Sequence, residues 1–345
     1  VRRVSGGHSG PKVIGCSHRL HAIAHGSLDV ETRLIMTTRV DASLLPKQSP
    51  LARKGGLKAH ERRIGRLFLL PALAAFTLVI LYPFLRAIGY AFTRSNLQTP
   101  EPVYIGIANF ASILSSPEIL GAFATTAIYV VFATSGTVIL GLGWALILNQ
   151  PFAGRSTLRA LTLIPWVLPS TVTAFIWGWI FNSRFGVLNA VLVSAGMIPF
   201  PTAWLSTTSG AMTAIVMTKI WFSIPLFMSF FLAGLQSLDK EQIDAARVDG
   251  ANNFALLRDH ILPHLRPVLL VVVVLGVIGN LQQFDTIFAL TGGGPVSATS
   301  VLSIQVYRLA FDQWDIGIAS ALGLLWVATI LPAAYFYLRH LLKGA

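Results

Sequence analysis

The stretch 240-KEQIDAARVDGANNFALLRDHILP-263 lies between two apolar runs, Gly210 to Leu235 and Val268 to Leu290, and its reading decides how the chain is organised. The polar segment from Gln236 to Pro267 is the longest such interruption after residue 66, and its pattern is helical, not that of a flexible linker. Asp239 is placed to cap a first helix running through Glu241, Asp244, Ala245, Ala246 and Val248, with acidic residues in the opening turn as the helix dipole favours. Gly250 ends or turns that helix, because glycine takes left-handed backbone angles without a side-chain clash. A second helix, about Asn252 to Ile261, carries Phe254, Leu257 and Ile261 at helical spacing. Pro263 and Pro267 are expected to pull the chain out of helix before the next apolar run. Ala245, Ala246 and Gly250 leave one side nearly bare, while Phe254 and Leu257 supply an apolar anchor. Two readings fit such a protrusion: an element that docks on another protein, or an amphipathic hairpin on lipid headgroups.

Working outward, six stretches are long and apolar enough to cross a bilayer, which needs about 20 such residues per helix. They are Leu67 to Phe92, Gly121 to Leu148, Leu158 to Phe181, Gly210 to Leu235, Val268 to Leu290 and Ile316 to Leu342. The composition agrees: of 345 residues 54% are hydrophobic and only 12% charged, which excludes an ordinary soluble single-core enzyme. The predicted fold class is therefore all-α, a six-helix membrane protein over residues 67–342 with its long polar loop at 236–267.

Charge placement orients the spans. Lys and Arg total 26 against 14 Asp and Glu, a net charge of +12. With the N-terminus inside, 21 of the 26 fall on the cytoplasmic side and 3 outside (Arg94, Arg184, Arg308), while Arg86 and Lys219 lie within spans. Both termini are expected in the cytoplasm, and the basic excess calls for no nucleic-acid partner. Residues 1–66 are polar, basic and aperiodic, so a disordered cytoplasmic tail is expected there. The first methionine is Met36, an alternative start of translation. Cys16, His18, His21 and His25 resemble a metal site in composition, but solvated side chains in such a tail are the simpler expectation. No metal site is assigned; His260 and His264 are four apart, with Pro263 between them. The first span starts late and lacks a small-residue cleavage pattern, unlike a signal peptide.

Polar groups inside lipid mark either a pathway or a helix interface. Gly276, Gly279, Asn280 and Gln283 share one helical face, with Gln282 and Asp285 close by, and Lys219 and Ser223 are one turn apart beside Trp221 and Pro225. Amide side chains and an indole suit a sugar, whose hydroxyls need donors and acceptors and whose ring faces stack on aromatics. The alternative is that the glycines serve close packing, that Asn280 and Gln283 bond across an interface, and that Lys219 snorkels or pairs. Arg86 is expected to snorkel to the outer interface. The scarcity of other intramembrane cations leans toward a neutral solute.

The run Glu241-Gln242-Ile243-Asp244-Ala245-Ala246-Arg247-Val248-Asp249-Gly250-Ala251, continued by Phe254 and Ile261-Leu262-Pro263, resembles the signature loop of ATP-binding-cassette importer permeases. Asp244 stands where that family most often has Glu, and Leu262 follows Ile261 directly. A second stretch, Leu290-Thr291-Gly292-Gly293-Gly294-Pro295 with Thr299, Tyr307, Ala310-Phe311 and Gly317, resembles permeases of carbohydrate uptake, which also carry glycerol phosphate. With Trp221, Pro225 and Ala233-Gly234-Leu235 the resemblance spans about residues 64–342. It implies a coupling role for Glu241, Asp244, Ala245, Ala246, Asp249, Gly250, Ala251, Phe254, Leu257 and Pro263. It implies a substrate pathway around Lys219, Trp221, Ser223, Gly276, Asn280 and Gln283. It also implies the plasma (inner) membrane of a prokaryote, a second homologous permease, two ATPase subunits on the cytoplasmic face and an extracytoplasmic solute-binding protein. The sequence has no Gly-Lys dipeptide and so no phosphate-cradling loop ending in Gly-Lys-Ser or Gly-Lys-Thr. ATP and Mg are then expected on a separate ATPase chain, with no cofactor and no catalytic residue here. The rival class is an ion-coupled secondary transporter, which calls for intramembrane carboxylates where this chain offers only Asp285.

Overall fold

The computed structural model describes residues 64, 67–96, 98 and 101–344. The expectations for residues 1–63, including Cys16, His18, His21, His25 and Met36, lie outside the described residues. Among those described, the fold is helical except for a two-stranded antiparallel hairpin, β1 Thr93–Arg94 with β2 Val103–Tyr104. The helices are α1 Leu67–Ala91, α2 Ala108–Ser115, α3 Pro117–Asn149, α4 Arg155–Val167, α5 Ser170–Ile180, α6 Val187–Ser194, α7 Thr208–Gln236, α8 Lys240–Val248, α9 Asn253–Leu281, α10 Asp285–Thr291, α11 Leu302–Tyr307 and α12 Ile316–Gly344. Among the described residues α1, α3, α7 and α9 are each long and apolar enough to span a membrane, and α4 with α5 makes a fifth if the bent pair is one span. In α12 the apolar part counted among the described residues is the shorter Ile316–Pro332.

Three sequence expectations are corrected. The predicted third span, Leu158 to Phe181, bends by 101° between α4 and α5. Pro169 forces Leu168 into extended backbone, φ −70° and ψ 143°, which no helix can continue through. The predicted fifth span, Val268 to Leu290, instead starts at Asn253 and ends at Leu281, so the loop's second helix and the span are one helix. Pro263 and Pro267 do not interrupt it. A π-turn over Leu256–Ile261 precedes Pro263, which falls in the first turn of the α-helical part, where a missing N–H costs little. The third correction is the break at 282–284, where Phe284 has φ −129° and ψ −59° before α10 begins.

Packing follows from small residues. On α3 the buried face runs Ala122, Thr126, Tyr129, Ala133, Thr137, Gly141, Ala145 and Leu148, spaced three and four apart, and it lies along α7. A Cβ on Gly141 would sit 3.0 Å from that of Phe227 on α7. One on Gly276 of α9 would meet Thr134 at 3.0 Å and the Phe227 ring at 3.1 Å. Leu148, Phe231, Leu235, Leu265 and Val272 then close the core shared by α3, α7 and α9. At the other end Ala91, Ile113, Leu302 and Leu322 join α1, α2, α11 and α12. There Asn109 Nδ2 donates to the carbonyls of Ala91 and Thr93, and Gly317 N donates to the Ser95 carbonyl. Much of the apolar surface of α1, including Leu67, Phe68 and Leu78, is exposed, as lipid-facing side chains require.

Replacing Gly276 by Leu should destabilise the fold by about 1–3 kcal/mol through overlap with Thr134 and Phe227. Thermal unfolding of the detergent-solubilised protein checks this: a lowered midpoint is expected, whereas Gly279→Leu, where a Cβ meets nothing within 4 Å, should leave it near the parent value.

Candidate functional site

Two regions carry the residues singled out by sequence. The first is an elbow formed by α8, Gly250 and the start of α9. Asp239 Oδ1 accepts from the Glu241 N–H at 2.9 Å and caps α8. Asp244 and Arg247 form an exposed ion pair at 3.6 Å one turn apart. At the far end Gly250, φ +90°, donates to the Arg247 carbonyl and Ala251 N donates to the Ala246 carbonyl, both at 3.0 Å. This pair of bonds around a left-handed residue is the Schellman ending, and it closes α8 cleanly before Asn252 caps the next helix through the Ala255 N–H at 2.8 Å.

The elbow shows its apolar groups outward. Val248 is 88% exposed and Phe254 69% exposed, while Ala246 and Leu256 hold the elbow together from inside. Glu241, Asp244, Ala245, Asp249 and Pro263 are exposed; Ala251 and Leu257 are half-buried. Gln242, Ala245, Ala246, Asp249, Ala251 and His260 line a shallow concavity beside it. Behind the elbow, Ser237 Oγ and His264 Nε2 lie 3.0 Å apart, tying the end of α7 to α9, and among the described residues no group of three or more His, Cys, Asp or Glu could hold a metal.

The second region surrounds the break between α9 and α10. A helix that ends in apolar surroundings must place its last carbonyls on other partners. The Leu281 carbonyl accepts from Trp326 Nε1 at 2.9 Å, and the Gln283 carbonyl accepts from Ser303 Oγ at 2.6 Å. The Gln283 side chain is fixed at both ends: Oε1 accepts from Lys219 Nζ at 2.7 Å and Nε2 donates to Thr286 Oγ1 at 3.2 Å. Lys219 also lies over the Phe222 ring, 5.7 Å from its centroid. Asp285, exposed in the first turn of α10, accepts from Ser170 Oγ at 3.1 Å and so connects α10 to the start of α5.

The residues grouped by sequence separate in space. Lys219 and Gln283 meet each other. Asn280, only 5% exposed, turns to α3, where its Nδ2 donates to Thr134 Oγ1 at 2.9 Å and its Oδ1 is left without a partner. Gly276 serves the packing described above. Trp221 meets the Trp177 ring edge-on, 5.8 Å between centroids, and Trp177, Phe181 and Trp204 continue that aromatic row. Ser223 is buried in α7. Pro225, inside the same helix, removes the N–H that would otherwise bond the Trp221 carbonyl. Trp177, Thr134, Ser170 and Thr286 were not foreseen. Thr134 lies beside the three-and-four-residue stripe of α3, a pattern visible in the sequence; the others come together only through the α4–α5 bend and the α9–α10 break.

Residues 137–343 match the family described as binding-protein-dependent transport system inner membrane component. The chain is 35% identical over 283 residues to the trehalose/maltose transport system permease protein MalF of Thermococcus litoralis, covering 82% of this chain and 95% of that one. It is 31% identical over 302 residues to the sulfoquinovosyl glycerol transport system permease protein SmoG of Agrobacterium fabrum, covering 87% and 96%. Among solved structures, a chain of a bacterial alginate ABC transporter in complex with an alginate pentasaccharide-bound periplasmic protein superposes with a TM-score of 0.69 at 21% identity, covering 82% of this chain and 96% of that one; this likeness shows the fold.

Removing the α8 cap with Asp239→Ala should cost about 1 kcal/mol locally, which raises amide exchange of residues 241–243 about fivefold. Hydrogen-exchange mass spectrometry of the purified protein reads this directly, and exchange in α7 should stay unchanged.

Proposed function

This chain belongs to the family of binding-protein-dependent transport system inner membrane components, and from that premise we propose that it lines the carbohydrate pathway of an ATP-driven importer and couples it to separate ATPase subunits through the α8 elbow. As a permease subunit of an ATP-binding-cassette importer it is a multi-pass inner-membrane component and not itself the enzyme, and no cofactor is expected in it. The finer reading has six spans, α1, α3, the bent α4–α5 pair, α7, α9 and α12, with both termini in the cytoplasm. A second homologous permease completes the pathway, two ATPase subunits sit on the cytoplasmic face, and a solute-binding protein delivers the solute outside.

The observation that carries the coupling role is the exposed apolar pair Val248 and Phe254 on an otherwise polar elbow built to a fixed shape by a cap and a Schellman ending. Closure of two ATPases around ATP would move such elbows together. Because α9 runs unbroken from Asn253 to Leu281, that motion reaches the 282–284 break as a rigid-body displacement.

A carbohydrate as the solute is supported by the relatives' printed names and by the chemistry at the break. Lys219 and Gln283 offer a donor and an amide for hydroxyls, and Trp221 with Trp177 offers ring surface, while Asn280, buried against Thr134 of α3, belongs to the helix interface. Ser223 lies one turn along the same face as Lys219. We assign Gly276 to helix packing within this pathway and not to contact with the solute.

Gly250→Asp should abolish ATP-dependent uptake into vesicles carrying the complete importer, because aspartate strains a left-handed position and adds charge to the docking face. Binding of solute by the separate receptor protein should be unaffected. Normal uptake in this variant removes the coupling role, and uptake that survives ATP depletion but collapses with the ion gradient replaces the reading with an ion-coupled transporter.

A further inference from the structure

Lys219 sits eleven residues in from the first residue of α7, roughly 16 Å along the helix, and seventeen from its last. Its ammonium does not run along the helix toward either end but turns sideways to Gln283 beyond α9, so the charge is held within the apolar span. Among the described residues no carboxylate pairs with it. The two ion pairs among the described residues, Arg247 with Asp244 and Arg258 with Asp259, both lie in the elbow region. Asp285, two residues beyond Gln283, is engaged by Ser170, and no ion pair among the described residues joins it to Lys219. What Lys219 meets instead is the oxygen of a neutral amide, at 2.7 Å, and the face of Phe222.

Gln283 is not free to turn away. Thr286 Oγ1 accepts from its Nε2, and Ser303 Oγ holds its carbonyl, so its side-chain oxygen is aimed at the ammonium. The arrangement orients a cation without supplying its counter-charge. An ammonium held in this way inside a membrane is paid for by function, and its missing partner is a group that arrives and leaves.

Resting on the pathway reading above, we infer that Lys219 sets the charge of the solute: this permease passes a carbohydrate bearing one anionic group, a carboxylate, sulfonate or phosphate, which takes the Lys219 ammonium as its counter-ion. The amide of Gln283 holds Lys219 in place between turnovers, and the neighbouring rings and amides meet the uncharged hydroxyls. The small number of intramembrane cations, which by sequence leans toward a neutral solute, matters less than the absence, among the described residues, of a carboxylate paired with this one.

The test is ATP-dependent uptake into proteoliposomes holding the complete importer and its binding protein. The radiolabelled probes are trehalose, a glucuronic-acid disaccharide, glucose 6-phosphate and sulfoquinovosyl glycerol. At least one anionic probe should enter at least tenfold faster than trehalose, which also tells which anionic group is used. Lys219→Met should lower the ratio of that probe's entry to trehalose entry at least tenfold, and Lys219→Arg should restore most of it. If Lys219→Met does not assemble, the same question is put to the parent protein with a neutral derivative of the preferred probe, such as the methyl ester of the uronic acid; its entry should fall by a similar factor. Trehalose entering with every anionic probe excluded, or an anionic probe indifferent to Lys219→Met or to esterification, overturns the inference and leaves the importer reading standing. Entry of none of the four probes into proteoliposomes whose importer assembles and hydrolyses ATP overturns the inference, whereas failure of any ATPase chain to assemble with the permease removes the importer reading.

Discussion

In lipid there is no water to bond a backbone carbonyl, and this constraint governs where the chain can depart from helix. Its most consequential departure is the break after Leu281, and the break exists because two side chains from elsewhere catch the carbonyls it frees. Trp326 of α12 takes Leu281 and Ser303 of α11 takes Gln283. With those bonds in place the Gln283 side chain is released from helical geometry and turns toward Lys219. The other break, at Leu168 and Pro169, bends α4 from α5 by 101° and brings Ser170 to Asp285. The polar centre of the molecule is assembled from these two interruptions.

The same helices connect that centre to the elbow. α7 carries Lys219, Trp221 and Ser223 and leads into Asp239, the cap of α8. α9 begins at the other side of the elbow and ends at the break, 29 residues or about 42 Å later. Its continuity through Pro263 and Pro267 matters mechanically, since a flexible joint there would dissipate a push that a continuous helix transmits. Close contact through Gly141, Gly276 and Gly234 makes α3, α7 and α9 one packed body, in which small displacements at one end are passed on without being absorbed.

The elbow was legible in the sequence almost residue by residue, because caps and left-handed glycines depend on neighbours in the chain. Asp239, Gly250 and Asn252 act within three residues of themselves. The membrane helices were legible as lengths of apolar sequence, but their ends were not where hydropathy changes. Hydropathy cannot register that a π-turn lets a helix accept Pro263, or that Pro169 bends an apolar run whose composition is uniform across it. The polar residues proposed for the pathway are grouped differently in space from their order along the helices. Helical phase placed Gly276, Asn280 and Gln283 together, whereas the break after Leu281 turns Gln283 to α7 and leaves Asn280 facing Thr134 on α3.

The central claim is that the α8 elbow seats against an ATP-hydrolysing chain. Photocrosslinking from benzoylphenylalanine incorporated in place of Val248, the most exposed apolar side chain of the elbow, tests this in native membranes of transport-competent cells. The account predicts one major protein adduct, a chain that binds ATP, with a yield that changes between nucleotide-free and ATP-bound states. Adducts with lipid alone, in cells that still transport, would contradict it.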